Sequence, residues 1–311
     1  MITKKPIDNL KYQKPIILTD TARIAFKHIL KTIYKNDKES LILLPTYIGI
    51  TDREGSGVFD PVQEVGIKYD FYKLNTKLSI DFEYLQLKLK KNKVKALLVI
   101  HYFGFVQNDM RFLSDYCKEN SIILIEDCAH SFNSYFNNKL LGSFGDFSFF
   151  SIHKFLSTKD GGFLKINNKN FYIEEIHDNE IIKLNTLEVL YKSDIDKISE
   201  IRCRNYIHLF EKIKNITWIK PMYNELPDGI VPMNLPVLIN GGREFVYFEL
   251  MKRRMPIISL YYRLIDKISK IEFPEMYNIS NSILNLPVHQ EIELEDLDNL
   301  CKVLKEINIY K

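Results

Sequence analysis

Residues 122–130, Ile122-Ile-Leu-Ile-Glu-Asp-Cys-Ala-His130, run four aliphatic side chains into two adjacent carboxylates and then a histidine. A short run that is apolar throughout, instead of alternating, marks a strand buried on both faces of a parallel sheet. Residues 41–44 and 96–100 read the same way, and residues 109–120 lie between the second and third of these runs with a helical pattern. Strand, helix and strand in alternation predict an α/β fold with crossover connections, in which ligands collect at the carboxyl ends of the strands. Asp127 is therefore placed to meet a ligand, or to cap a helix that follows. His130 is a candidate site residue, or a packing histidine.

The 311 residues are 46% hydrophobic and 27% charged, with a net charge of +3 from 43 basic and 40 acidic side chains. That composition excludes collagen-like, low-complexity and wholly disordered chains, and the near-balance gives no electrostatic case for nucleic acid or a membrane surface. No stretch approaches the ~18 apolar residues of a membrane helix. Residues 1–15 carry Lys and Asp instead of an apolar core, so a cytoplasmic location is expected. Cys117, Cys128, Cys203 and Cys301 are scattered singly, which predicts reduced thiols and gives no support for zinc. The run Lys88, Lys90, Lys91, Lys93 and Lys95 reads as a solvated helix end and turn.

Residues 19–36 place Ala22, Ala25, Phe26, Ile29, Leu30 and Ile33 on one helical stripe, with Thr19 or Asp20 as the cap. After Gly161-Gly162 the pattern changes: residues 167–194 are polar and weakly patterned, and helical stretches follow around 198–213, 243–254 and 293–307. The expected organisation is a large domain over residues 1–190 and a smaller α+β domain over residues 191–311.

In residues 142–162 a lysine, Lys154, follows the aromatic run Phe147-Ser-Phe-Phe150 and precedes the paired glycines. A lysine so flanked is partly desolvated, which lowers its pKa and favours the neutral amine that forms Schiff bases; the alternative is an ordinary loop lysine. Lys159 competes from a polar Ser-Thr-Lys-Asp turn without apolar shielding.

Taken in order, these segments resemble the DegT/DnrJ/EryC1/StrS family of pyridoxal-phosphate-dependent sugar aminotransferases, of fold type I. The resemblance runs from about residue 19 to about residue 307. It rests on Pro45-Thr-Tyr-Ile48, His101-Tyr-Phe-Gly104, Glu126-Asp-Cys-Ala-His130, Gly142-Ser-Phe-Gly-Asp146, Lys154 with Asp160-Gly-Gly162, and Leu284-Asn-Leu-Pro-Val-His289. It implies a large domain with a mostly parallel sheet and a smaller C-terminal α+β domain. It makes Lys154 the residue that bonds pyridoxal 5'-phosphate and then serves as proton carrier, and it sets Asp127 against the pyridine nitrogen, where a carboxylate keeps the ring an electron sink. His130 would lie near the phenolic oxygen and Tyr47 would stack on the ring. Asp20, Thr21 and Ala22, at the start of the first long helix, would bind the phosphate together with the Ser151 hydroxyl.

The implied activity is transfer of an amino group from an amino acid, glutamate, to a nucleotide-linked keto-sugar in surface-polysaccharide or glycan biosynthesis, by a homodimer with active sites at the subunit boundary. Three features depart from the family pattern. Asp20 stands where a glycine is usual, the lead-in to Lys154 reads Ser-Ile-His, and no Asn-Tyr-Arg loop is found in residues 167–194. Arg202 and Arg204 are candidates to supply charge to a phosphate across the interface, or are solvated helix-face residues. The competing functions are a dehydratase branch, in which histidine replaces the lysine and His153 would be that histidine, and a non-catalytic binding module.

Overall fold

Strand β1 (Ile16–Thr19) leads into helix α1 (Ala22–Asn36). Thr21, and neither Thr19 nor Asp20, caps this helix: its Oγ1 accepts the Ile24 N–H at 3.2 Å. Thr19 is held in β1 by its pairing with Gly162, and the Asp20 carboxylate faces the Lys183 ammonium at 3.0 Å. The apolar stripe lies as expected, with Ala25, Phe26, Ile29, Leu30 and Ile33 all buried. This computed structural model describes residues 15–173, 176–255 and 257–307. The expectation placed on residues 1–15 therefore falls almost wholly outside the described residues, as do positions 174 and 175 of the polar segment.

Alternation continues through β2 (Leu41–Pro45), α2 (Phe59–Val65), β3 (Lys68–Tyr72), α3 (Phe82–Lys91), β4 (Val94–Ile100), α4 (Met110–Glu119) and β5 (Ile123–Cys128). Asp109 caps α4 by accepting the Arg111 and Phe112 N–H groups. A small hairpin of β6 (Tyr135–Phe136) and β7 (Lys139–Leu140) precedes β8 (Phe147–Ser151) and β9 (Gly162–Ile166). The main sheet has the order β1-β9-β8-β5-β4-β2-β3, with β3, β2, β4, β5 and β8 parallel, β9 reversed against β8, and β1 antiparallel to β9 and so aligned with the parallel set. Only a helix-length crossover returns a strand in parallel. The short, helix-free link between β8 and β9 sends β9 back antiparallel, and Lys154 sits in that link. Of the basic run, Lys88, Lys90 and Lys91 end α3, but Lys95 lies within β4 and is no part of a solvated turn.

Residues 167–194 hold more structure than their polarity predicts. A 3-10 turn at Asp178–Glu180 precedes α5 (Leu184–Lys192). Glu180 is buried against α1, taking Lys27 Nζ at 2.8 Å and His28 Nε2 at 2.8 Å, and Ile181 bridges to Thr19. Beyond it come α6 (Ile195–Ile213), β10 (Ile219–Pro221), β11 (Asn234–Ile239), α7 (Arg243–Lys252), α8 (Pro274–Ser282), β12 (Ile283–Pro287) and α9 (Leu294–Glu306). Strands β10, β11 and β12 form a separate antiparallel sheet. One hydrophobic cluster runs from Ala25 on α1 to Ile307 after α9, through both sheets. The four cysteines are unpaired. Among the described residues no helix is long and apolar enough to cross a membrane.

Candidate active site

Strand β5 does not stop before the carboxylates but carries both, and successive side chains of a strand point to opposite faces. Glu126 and Asp127 consequently have separate tasks. Glu126, with no exposed surface, accepts N–H bonds from Gly142 (3.0 Å), Phe144 (2.7 Å) and Gly145 (2.7 Å), and pairs with His101 Nε2 at 3.1 Å. Burial pushes its carboxyl pKa up, but His101 and these N–H groups outweigh burial and hold it below the ordinary value. Glu126 thus fixes the loop that feeds β8.

Asp127 faces the other way. No helix begins after β5, so the helix-cap reading of Asp127 is overturned. Among the described residues its carboxylate has one hydrogen bond, from the Ala129 N–H to Oδ1 at 2.9 Å. Burial pushes its pKa up to about 6, against the smaller opposing effects of that bond, Lys154 and His101. A buried carboxylate this poorly solvated is an acceptor in want of a cationic donor.

His130, 6% exposed, follows two residues after β5. The Phe103 N–H donates to its Nδ1 at 3.2 Å, and Lys154 Nζ lies 3.0 Å from its Nε2. Burial, reinforced by Lys154, holds the imidazole pKa well below 6.5, so the ring is neutral. With Nδ1 occupied as an acceptor, the single proton is on Nε2 and points at Lys154. A neutral amine accepts that N–H, and an ammonium does not. Burial lowers the Lys154 pKa, with Asp127 and Glu54 opposing, in agreement with this arrangement. The Phe103 donor is aimed by the turn Tyr102–Gly104, where Phe103 and Gly104 have φ of +59° and +94°. A Cβ on Gly104 would lie 2.6 Å from Val231 O and 2.9 Å from His130 O, so only glycine permits this approach.

The candidate lysines and the histidine beside them differ in position. Lys154 meets His130, Lys159 is exposed, and His153 is exposed with its Nδ1 3.2 Å from Ser151 Oγ. The turn that carries Lys154 is clamped by Arg202 of α6. Its guanidinium donates to the carbonyls of Phe155 (3.1 Å), Lys154 (3.4 Å) and Met233 (3.3 Å) and to Gln290 Oε1 (3.0 Å), and lies over the Phe155 ring. Arg202 is 2% exposed, so it is neither a solvated helix-face residue nor free to reach another subunit. Arg204 is exposed and bonds Asn205 Oδ1.

Ser151, Gly162 and Thr19 form one row across β8, β9 and β1. A Cβ on Gly162 would lie 2.3 Å from Ala22 N, so the absent side chain lets the start of α1 close on this row and brings Thr21, Ala22 and Ser151 to one end of the sheet. The first-turn N–H groups of a helix lack intrahelical acceptors and suit an anion. The Asp20 carboxylate is paired with Lys183, which also pairs with Asp160.

Tyr47 follows β2, fully buried, and its ring is stacked at 5.1 Å and 17° on Tyr261, a residue that nothing in the sequence singled out. Pairs distant in sequence leave no local signal. The part played by Glu126 was discernible in principle from the glycine-flanked loop 142–145.

This large, mostly parallel sheet with its flanking helices matches the fold of solved aminotransferase structures. Spr1654 from Streptococcus pneumoniae, in its PLP form, superposes with a TM-score of 0.77 at 15% identity, covering 94% of this chain and 86% of that one. The model of the DegT/DnrJ/EryC1/StrS aminotransferase family matches residues 57–177. GDP-perosamine synthase of Escherichia coli O157:H7 is 36% identical over 88 residues, 28% of this chain and 24% of that protein. The UDP-4-amino-4,6-dideoxy-N-acetyl-beta-L-altrosamine transaminase of Campylobacter jejuni is 24% identical across 78% of this chain and 75% of its own length. The match to the perosamine synthase thus spans about a quarter of that relative's length.

Proposed function

We propose that this chain is a pyridoxal-phosphate-dependent aminotransferase that moves an amino group from an amino acid, glutamate, to a nucleotide-linked keto-sugar. The observation that carries the reading is the Asp127, His130 and Lys154 constellation: an underbonded acceptor, a histidine N–H donor and an amine whose pKa burial lowers. These suit a protonated pyridine nitrogen, a phenolate oxygen and an aldehyde carbon in turn. The bound cofactor supplies an electron sink for the pair released when the Cα–H bond of the amino acid breaks. Asp127 holds the proton on the ring nitrogen. His130 Nε2–H orients the phenolic oxygen. Lys154 Nζ would hold the cofactor and would carry the proton at the substrate Cα. Thr21, Ala22 and Ser151 would take the phosphate, with Lys183 neutralising Asp20 beside it.

The division into residues 1–190 and 191–311, a homodimer with shared sites, a cytoplasmic location and a role in surface-polysaccharide biosynthesis belong to the same proposal. Borohydride reduction in the presence of pyridoxal phosphate, then peptide mapping, tests the cofactor site. A pyridoxyl adduct on Lys154 is expected, and one on Lys159 or none would refute it. Incubation with glutamate and a panel of nucleotide-linked keto-sugars tests the substrate class through the 2-oxoglutarate and amino-sugar products.

A further inference from the structure

We propose that Tyr261 gates cofactor loading: its side chain fills the slot on the face of Tyr47 that the pyridine ring takes, and rotates out before that ring enters. The inference rests on the reading of Tyr47, Asp127, His130 and Lys154 as a pyridoxal-phosphate site.

Tyr47 has no exposed surface, and Tyr102, 5.6 Å from it at 65° and 5.5 Å from Tyr261, flanks it and leaves its face to a stacking ring. The ring on that face is Tyr261, and the same ring meets His130 edge-on at 5.8 Å, Phe103 at 5.6 Å and Tyr102 at 5.5 Å. It therefore lies between the stacking tyrosine and the histidine that would hold the phenolic oxygen. After burial, the Asp127 charge is what raises the Tyr261 phenol pKa, which puts the phenol within the field of the carboxylate assigned to the ring nitrogen. Two aromatic rings cannot share one stacking position.

The Tyr261 backbone is pinned. Ser280 Oγ donates to its carbonyl at 2.7 Å and the Tyr47 hydroxyl reaches the same oxygen at 3.4 Å. On either side, Asn285 Nδ2 bonds Leu260 O at 3.1 Å, Ile50 N bonds Arg263 O at 3.1 Å and Ile265 N bonds Ile48 O at 3.0 Å. These contacts hold Tyr261 at φ +59°, a conformation unfavourable for a residue with a side chain. Opening is consequently a side-chain rotation and needs no lifting of the segment. Tyr261 is half-buried, and Tyr262 beside it is 37% exposed, so solvent is close. Gly49 supplies clearance: a Cβ there would lie 3.1 Å from Tyr261 Cδ1. A filled slot also spares the cofactor-free protein an aromatic-lined void, whose walls would lose their contact partners.

Because the ring enters only open molecules, the observed association rate scales with the fraction already open, as the apparent affinity does. With an open fraction of about 0.1–10%, Tyr261→Ala should bind pyridoxal phosphate about 10- to 1,000-fold faster than the parent, and Tyr261→Phe should bind like the parent. Stopped-flow absorbance on cofactor-stripped protein reads the rate, and borohydride trapping reads the site. Tyr261→Leu, which keeps apolar volume without a ring, serves if the alanine variant does not fold. Binding that is equally fast or slower in the ring-less variants, with the adduct still on Lys154, overturns the gate alone. Absence of binding to both parent and variants overturns the gate together with the site reading.

Discussion

Replacing Asp127 with Asn should stabilise the cofactor-free protein at neutral pH while abolishing turnover. The folded-state pKa is about 6 against an ordinary 3.8, so the native state binds a proton more tightly than the unfolded chain. Stability from this group is therefore greatest below pH 3.8 and is lost as the pH rises through about 6. A difference of ~2 pKa units at ~1.4 kcal/mol per unit makes the ionised carboxylate a burden of ~3 kcal/mol above that range. Asn keeps Oδ1 as the acceptor for the Ala129 N–H, and its unpartnered amide nitrogen takes back ~1 kcal/mol. The net gain at pH 7.5 is ~2 kcal/mol, and the pH-dependent part does not depend on that offset. Urea unfolding of the stripped parent and variant at intervals from pH 4.5 to 7.5 measures it. The parent should lose ground against the variant as pH rises to about 6, and the difference should level off above that. Saturating pyridoxal phosphate should then stabilise the parent more than the variant, because the ring nitrogen supplies the missing donor. A stability difference that is constant with pH, or that widens toward acid, would refute the account of Asp127 as a buried charge awaiting a cation.

Glu126→Gln should destabilise the protein by ~3 kcal/mol, because an amide nitrogen then opposes backbone N–H donors; chemical denaturation reads the loss. With its pKa held low in the folded state, the parent Glu126 contributes stability above the unfolded pKa that fades as pH falls, a slope opposite to that of Asp127. Gly162→Ala should cost ~3 kcal/mol or prevent folding, since the new methyl meets the α1 backbone at 2.3 Å; soluble yield and melting temperature check it. Arg202→Met should lower stability by ~2 kcal/mol and reduce borohydride trapping at Lys154, by leaving the carbonyls of the lysine turn without donors. Arg202→Lys should not restore trapping, because an ammonium lacks the planar fork that reaches several carbonyls at once.

The sequence by itself determined the repeating unit of the fold. Apolar runs at 41–44, 96–100 and 122–125 could only be satisfied by burial on both faces, and all three are adjacent members of the parallel sheet, as β2, β4 and β5. The α1 stripe and the helix in residues 109–120 were equally legible, because helix periodicity is local. Ordered motifs also named Asp127, His130 and Lys154, which the fold brings to one end of the sheet. What the tertiary structure decided is how neighbours in sequence part company. Glu126 and Asp127 are adjacent, yet the pleat sends one into a loop's N–H groups and the other toward the charge of Lys154. Arg202 looked like a helix-face charge because the turn it clamps is remote in the chain. Tyr261 carried no signal at all, since its partner Tyr47 is 214 residues away and an aromatic stack depends only on where two backbones meet.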